Sequence, residues 1–226
     1  MLEVRKTDTF DAWIAALRDR QARARILVRI DRPAAGNPGE HRVLRGGVNE
    51  LKIDHGPGYR VYYHQRGTAV VILLCGGDKS TQRSDIRTAQ AMVRLLEIDM
   101  PLKTTPWDSA DYLRTEEDRA SYLAAVLEEA PDDAAFITNA LGTVARARNM
   151  SQLARDTGLT REGLYKALSA GGNPSFGTVL KVMRALGVRL TVSAEPHAKR
   201  LAKPPARKQA KPAAKRGPPA PARRSA

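Results

Sequence analysis

Residues 69–86 read AVVILLCGGDKSTQRSDI, and the two halves of this stretch obey different rules. Ala69–Cys75 is an unbroken apolar run rich in β-branched residues, which suits a central strand covered on both faces. Gly76-Gly77-Asp78 ends it, and Ser80 or Thr81 can cap a helix. Ile86, Ala89, Met92, Val93 and Leu96 then recur at helical spacing, so this helix should lie back on the strand.

Upstream, His41–Leu44, Val48–Ile53 and Tyr59–Tyr63 have strand texture, separated by turn chemistry at His55-Gly56-Pro57-Gly58 and Gln65-Arg66-Gly67-Thr68. Leu2–Thr7 alternates apolar and polar residues as a half-buried strand does. Asp8 or Thr9 can cap a helix that buries Phe10, Trp13, Ile14 and Leu17. A second helix begins near Arg20, buries Ala24, Leu27, Val28 and Ile30, and is expected to stop before Pro33, ahead of the Gly36-Asn37-Pro38-Gly39 turn. The order β-α-α-β-β-β-α predicts a small α+β domain over residues 1–99.

Composition bounds what such a chain can be. With 226 residues, 42% of them hydrophobic, there is enough apolar material for real cores. A single cysteine, Cys75, excludes an intramolecular disulfide framework and a multi-cysteine zinc site. No apolar run approaches the roughly 20 residues of a membrane span, and the opening MLEVRKTDTF lacks a signal-peptide core, so a cytoplasmic protein without membrane partners is expected. The net charge of +14 points to nucleic acid. Much of that charge lies in residues 196–226, which hold ten Lys/Arg, no Asp/Glu and half of the prolines, and read as a disordered arm.

At Asp99-Met100 the pattern resets. Pro101–Pro106 should be extended, and Asp108 or Ser109 can start a short helix with Tyr112 and Leu113. Thr115-Glu116-Glu117-Asp118 is a capping-box variant opening a helix with Tyr122, Leu123, Val126 and Leu127 inside. Asp132 or Asp133 begins another. Ser151 is expected to cap a short helix, Gly158 to supply a turn, and Thr160 to cap a helix over residues 161–168. Ala154, Leu159 and Leu164 follow helix-turn-helix spacing, and a last helix spans 176–186. Arg189–Ser193 alternates as a final strand, which two chains could pair. The second domain, residues 100–195, is therefore expected to be all-α apart from that strand.

The order of elements, GPGYRVYY at 56–63 and LLCGGDKSTQRSDI at 73–86 resemble the RelE/ParE toxin superfamily, in particular HigB-like, Gp49-related addiction-module killers. This resemblance implies an endoribonuclease (an mRNA interferase) acting on mRNA at the ribosome, in which the RNA's own 2′-hydroxyl attacks the adjacent phosphate, with no metal or other cofactor. The matching catalytic positions are Arg60 as phosphate clamp and Lys52 and Lys79 as charge and proton carriers. Tyr62, Tyr63, Gln82 and Arg83 are the neighbouring RNA-contact candidates. An aromatic or histidine that some relatives carry on the last helix has no match; Asp85 lies near that place.

The stretch TGLTREGLYKALSAGGNPSFGTVLKVMRALGVRLTV resembles HigA-type antidote proteins with a Cro/CI-like DNA-binding core, normally two-fold dimers on operator DNA. By position Thr160, Arg161, Glu162 and Tyr165 face bases, with Lys166, Ser151, Gln152 and Ser175 nearer phosphates. Three functions compete: a self-neutralised toxin–antitoxin fusion repressing its own operon, a DNA-binding repressor with an inactive toxin-like domain, and a general nucleic-acid binder driven by the tail.

Overall fold

The computed structural model of the chain describes residues 2–34, 41–98, 102–169 and 171–191. The expected turn at 36–39, the pattern reset at Asp99-Met100, Pro101 and the basic arm at 196–226 lie outside these residues.

β1 (Glu3–Thr7) runs directly into α1 (Asp8–Ala16). Thr7, rather than Asp8 or Thr9, caps this helix: its hydroxyl accepts from the Phe10 amide and donates to the Leu74 carbonyl. α2 (Arg20–Ala34) passes through Pro33 instead of stopping before it. The residues just ahead of the proline, Asp31 and Arg32, are pinned by side-chain bonds to a later helix, which holds the last turn in helical geometry.

β2 (Arg42–Val43), β3 (Asn49–Ile53), β4 (Tyr59–Arg66) and β5 (Val70–Asp78) come next, and α3 (Gln82–Glu97) closes this part. The order is thus β-α-α-β-β-β-β-α: all four segments with strand texture form strands, where the expected order β-α-α-β-β-β-α counted three. β2, within 41–44, is only the pairing of Arg42 with Glu50 and Val43 with Asn49 at the sheet edge.

The sheet has six strands in the order β2-β3-β4-β5-β1-β6, where β6 is Thr104–Pro106. β5 is central and parallel to β1, and its neighbour β4 is antiparallel. Its side chains alternate between two cores: Val71 and Leu73 face one, Ile72 and Leu74 the other, as a strand apolar on both faces requires. α1 and α2 cover the first face with Phe10, Ile14, Ile26 and Leu27; α3 covers the second with Ala89 and Val93.

β6 corrects the expectation of an all-α second part. It pairs antiparallel with β1 (Lys6 opposite Thr105), and the Trp107 amide donates to the Val4 carbonyl. Pro106 can sit there because the outer edge of β6 has no ladder to donate to.

A 3₁₀ turn at Ser109–Tyr112 leads to α4 (Glu116–Glu129), α5 (Ala134–Arg148), α6 (Met150–Thr157), α7 (Arg161–Ala167) and α8 (Phe176–Ala185). The capping box at Thr115 and Asp118 forms as expected. α6 begins at Met150, capped by Asn149 rather than Ser151. Arg189–Thr191 forms no strand, and Val192-Ser193 lie outside the described residues. A strand needs a ladder partner, and the one expected for this segment is a second chain.

The first core does not stop at residue 98. Tyr112, Leu113, Tyr122, Val126, Phe136, Leu141, Leu164 and Val182 continue it from the elements on the other side. A second unit begins at Leu190, of which only Leu190 and Thr191 are described.

Candidate functional site

Arg60 and Lys79 meet at the end of the β4–β5 ladder. Arg60 lies opposite Gly77 and Tyr59 opposite Asp78, so Lys79 leaves the sheet beside them. Gly58 sits between the two: a Cβ there would lie 3.8 Å from Arg60 Nη1 and 3.9 Å from Lys79 Cβ. Gly77 lets the start of α3 come down onto β5, since a Cβ at that position would stand 2.0 Å from an Asp85 carboxylate oxygen. Thr81 donates to that same carboxylate. Lys52 is the direct cross-strand partner of Arg60 and so shares its face.

Within this arrangement Arg60 is only 8% exposed. One of its guanidinium nitrogens donates to the Gly58 carbonyl at 2.9 Å, and Nε stands 3.7 Å from Glu50. Glu50 is buried too, and accepts from the Gln82 amide at 3.0 Å. Arg60 Nε and the Tyr62 hydroxyl, on either side of Glu50, are buried without a hydrogen-bond partner. Lys79 and Arg83 are exposed; Lys52 is exposed and pairs with Asp54 at 2.7 Å.

Tyr62 and Tyr63 are not open to a substrate beside these cations. Tyr62 is fully enclosed under α3, where burial and then the nearby Glu50 charge push its hydroxyl pKa up. Tyr63 points to the opposite face, into the core under α1 and α2. Strand alternation places neighbouring residues on opposite faces, and here both faces are covered. Cys75 is buried as well, its thiol pushed up to about 12 by burial and then by Asp85.

Sequence reasoning missed Glu50. Its signal was the same alternation: Glu50, two before Lys52, shares the face of Arg60 and sits diagonally across from it. It also missed the arginines of α2, whose positions match no motif. With Lys52 they line a cavity at the sheet edge.

In the second part, Gly158 ends α6 in the left-handed conformation and turns the chain into α7. Ala154 and Leu164 are buried and Leu159 partly so. Thr160, Arg161, Glu162, Tyr165 and Lys166 are exposed along the start and outer face of α7. The Arg161 guanidinium lies 5.6 Å from the centre of the Tyr165 ring. Thr160 and Ser175 spend their hydroxyl oxygens on helix caps, to the Gly163 and Thr178 amides. Ser151 and Gln152 are half-buried, and Gln152 donates to Asp156 at 2.7 Å.

The two parts are joined by charge as well as by the core. Asp118 of α4 binds Arg20 at 3.0 Å and Arg23 at 2.6 Å; burial alone would raise its pKa, but the Thr115 amide and Arg23 hold it below the usual value. Lys6, largely buried on β1, donates to the Tyr112 hydroxyl at 2.7 Å and to Asp11 at 3.0 Å. Asp31 of α2 accepts from Ser109 and Tyr122 at 2.6 Å each, and burial pushes its pKa up to about 6. No helix among the described residues is long and apolar enough to cross a membrane.

Residues 12–96 match the family described as "Phage derived protein Gp49-like (DUF891)". Residues 103–194 match that described as "Probable addiction module antidote protein". Two relatives come from Haemophilus influenzae (strain ATCC 51907 / DSM 11121 / KW20 / Rd), each titled only as an uncharacterized protein. One is 55% identical over 86 residues, covering 38% of this chain and 87% of its own. The other is 44% identical over 95 residues, covering 42% of this chain and 96% of its own. No solved structure matches. The chain therefore belongs to the Gp49-like family through its first part and to the addiction-module antidote family through its second, a toxin–antitoxin fusion in one polypeptide.

Proposed function

We propose that this chain is a self-neutralised module: a latent, metal-independent mRNA endoribonuclease of HigB type in residues 1–99, restrained by a HigA-type antidote domain in 100–195. The antidote domain binds operator DNA as a homodimer and represses its own operon. The observation that carries this reading is that the antidote-family segment completes the toxin-family segment, adding β6 to its sheet and α4 to its core.

In the released toxin the 2′-hydroxyl oxygen of the substrate RNA attacks the neighbouring phosphorus. The P–O bond to the leaving 5′-oxygen breaks, and the proton of the 2′-hydroxyl ends on that oxygen. Arg60 holds the phosphate oxygens with its fork of donors, and Lys79 and Lys52 stabilise the charge and relay the proton. Gln82 and Arg83, at the start of α3, position the strand. On the DNA side the exposed Thr160, Arg161, Glu162 and Tyr165 read bases, with Lys166, Ser151, Gln152 and Ser175 towards phosphates.

Expression of residues 1–99 alone tests the first half. Growth arrest is expected, and Arg60→Ala abolishes it. A second reading, a repressor with an inactive toxin-like domain, is favoured by the buried Glu50–Arg60 pair, which holds the clamp back from a substrate. No arrest from folded residues 1–99 decides for it. Operator binding that survives deletion of 196–226 separates both from a tail-driven general binder.

A further inference from the structure

A cavity of about 470 Å³ opens between the end of β3, α2 and α4. Arg25, Arg29 and Arg32 of α2 and Lys52 of β3 supply four cations to its wall; Asp54 and Glu129 supply two carboxylates. The arginine spacing of four and then three residues puts all three on one side of α2. α4 answers them with acids: Arg25 meets Glu128 at 2.5 Å, and Arg29 and Arg32 share Glu129 at 3.1 and 2.7 Å. The wall thus carries four cations and two carboxylates, Asp54 pairing with Lys52 at 2.7 Å and Glu129 with Arg29 and Arg32. Such a row of planar, always-charged forks matches phosphate oxygens in geometry.

Lys52 ties this cavity to Arg60. It lines the cavity, and it is also the cross-strand partner of Arg60. A polyanionic strand lying over Arg60 and turning round the β3 edge at Lys52 would therefore reach the α2 arginines on the other face of the sheet.

We infer that the α2 arginines with Lys52 form a binding site for the phosphodiester backbone of single-stranded RNA, and that Glu128 and Glu129 of α4 occupy it in place of phosphates. The inference rests on the reading of the first part as an RNA-cleaving segment. Because the same guanidinium groups cannot serve both anions fully, RNA binding and α4 docking oppose one another, and each weakens the other by the same factor. Restraint of the toxin then acts on substrate binding, without any need for α4 to reach Arg60.

Binding of a fluorescein-labelled 12-nucleotide RNA to the full chain, followed by anisotropy from 50 to 300 mM KCl, tests this. All proteins carry Arg60→Ala, so that binding is read without cleavage, and all carry the basic arm, whose share is common to them. Glu128→Gln with Glu129→Gln is expected to tighten binding about tenfold and to steepen the salt dependence by about 1.4 log units per log unit. That corresponds to two further phosphates at about 0.7 each. Adding Arg25→Ala and Arg32→Ala should cancel the gain. Glu116→Gln with Glu117→Gln, the same charge change at the far end of α4, should give none. Should the double variant not fold, Glu128→Gln alone, at an exposed pair, is expected to give about threefold. Equal gains from both ends of α4, no gain, or a gain that survives loss of the arginines overturns the proposal. Growth arrest by residues 1–99 reports separately on the nuclease reading.

Discussion

Asp31 shows how far one side chain can answer to both parts of the chain. Its carboxylate lies on α2, while Ser109, Tyr122 and, at 3.5 Å, Trp107 donate to it from beyond residue 102. Burial outweighs those donors and raises its pKa to about 6. The folded state thus binds a proton more tightly than the unfolded chain does. The Asp31 contribution to stability is greatest below about pH 4 and is lost as pH rises through about 6. Urea midpoints measured from pH 4 to 7 should show this fall, worth up to about 3 kcal/mol, and Asp31→Asn should flatten it. Asp118 carries the opposite sign. Its pKa is depressed, so its stabilisation is present at neutral pH and lost as pH drops below the usual carboxylate value. Asp118→Ala removes a cap and leaves both arginines without their buried carboxylate. A loss of about 3 kcal/mol in unfolding free energy is expected from urea titration.

At the scale of elements, the turn between α6 and α7 depends on a backbone conformation that only glycine adopts freely. Gly158 has φ of +67°, and nothing crowds the position a Cβ would take. The cost of Gly158→Ala is therefore conformational, about 1 kcal/mol by urea titration, with the fold retained. Thr160→Ala removes the cap of α7 and should cost a similar amount. On the proposed reading of α7 as the DNA-contacting helix, Thr160→Ala should also weaken operator binding in a mobility-shift assay beyond what Gly158→Ala does, since Thr160 is one of the proposed contact residues. Elements with a strong local signal were legible from the sequence. The central strand 69–75, the inner face of α3, the capping box at Thr115 and Asp118, and the Gly158 turn all leave a pattern within a few neighbouring residues of the sequence. β6 was not, because a three-residue strand has no period to read, and 101–106 reads only as extended. Its existence depends on β1 lying beside it.

On the whole-molecule scale, the two family segments hold one another by a shared core, a sheet pairing and five arginines paired to α4. A protease site placed at 99–101 should therefore nick the chain without parting it. After cleavage the fragments are expected to co-elute in gel filtration at 0.5 M salt and to separate only in urea. Fragments that part at once would show that covalent linkage, with its raised effective concentration, is what keeps them together.

What the sequence determined by itself was local: which residues alternate or recur at helical spacing, which hydroxyls and carboxylates can cap, and where glycine must turn the chain. The candidate cations Arg60, Lys79 and Lys52 came from the resemblance to a known family, whose quoted stretches at 56–63 and 73–86 contain the first two. Only the tertiary structure decided that Tyr62 and Tyr63 are enclosed and that Arg60 is held by Glu50. It alone showed that the arginines of α2 face carboxylates about a hundred residues away. The physical reason is range. Backbone preference and capping act over a few residues and leave a pattern in the order of the chain. Burial and ion pairing depend on which distant surface arrives, and that is settled only when the two parts close over a common core.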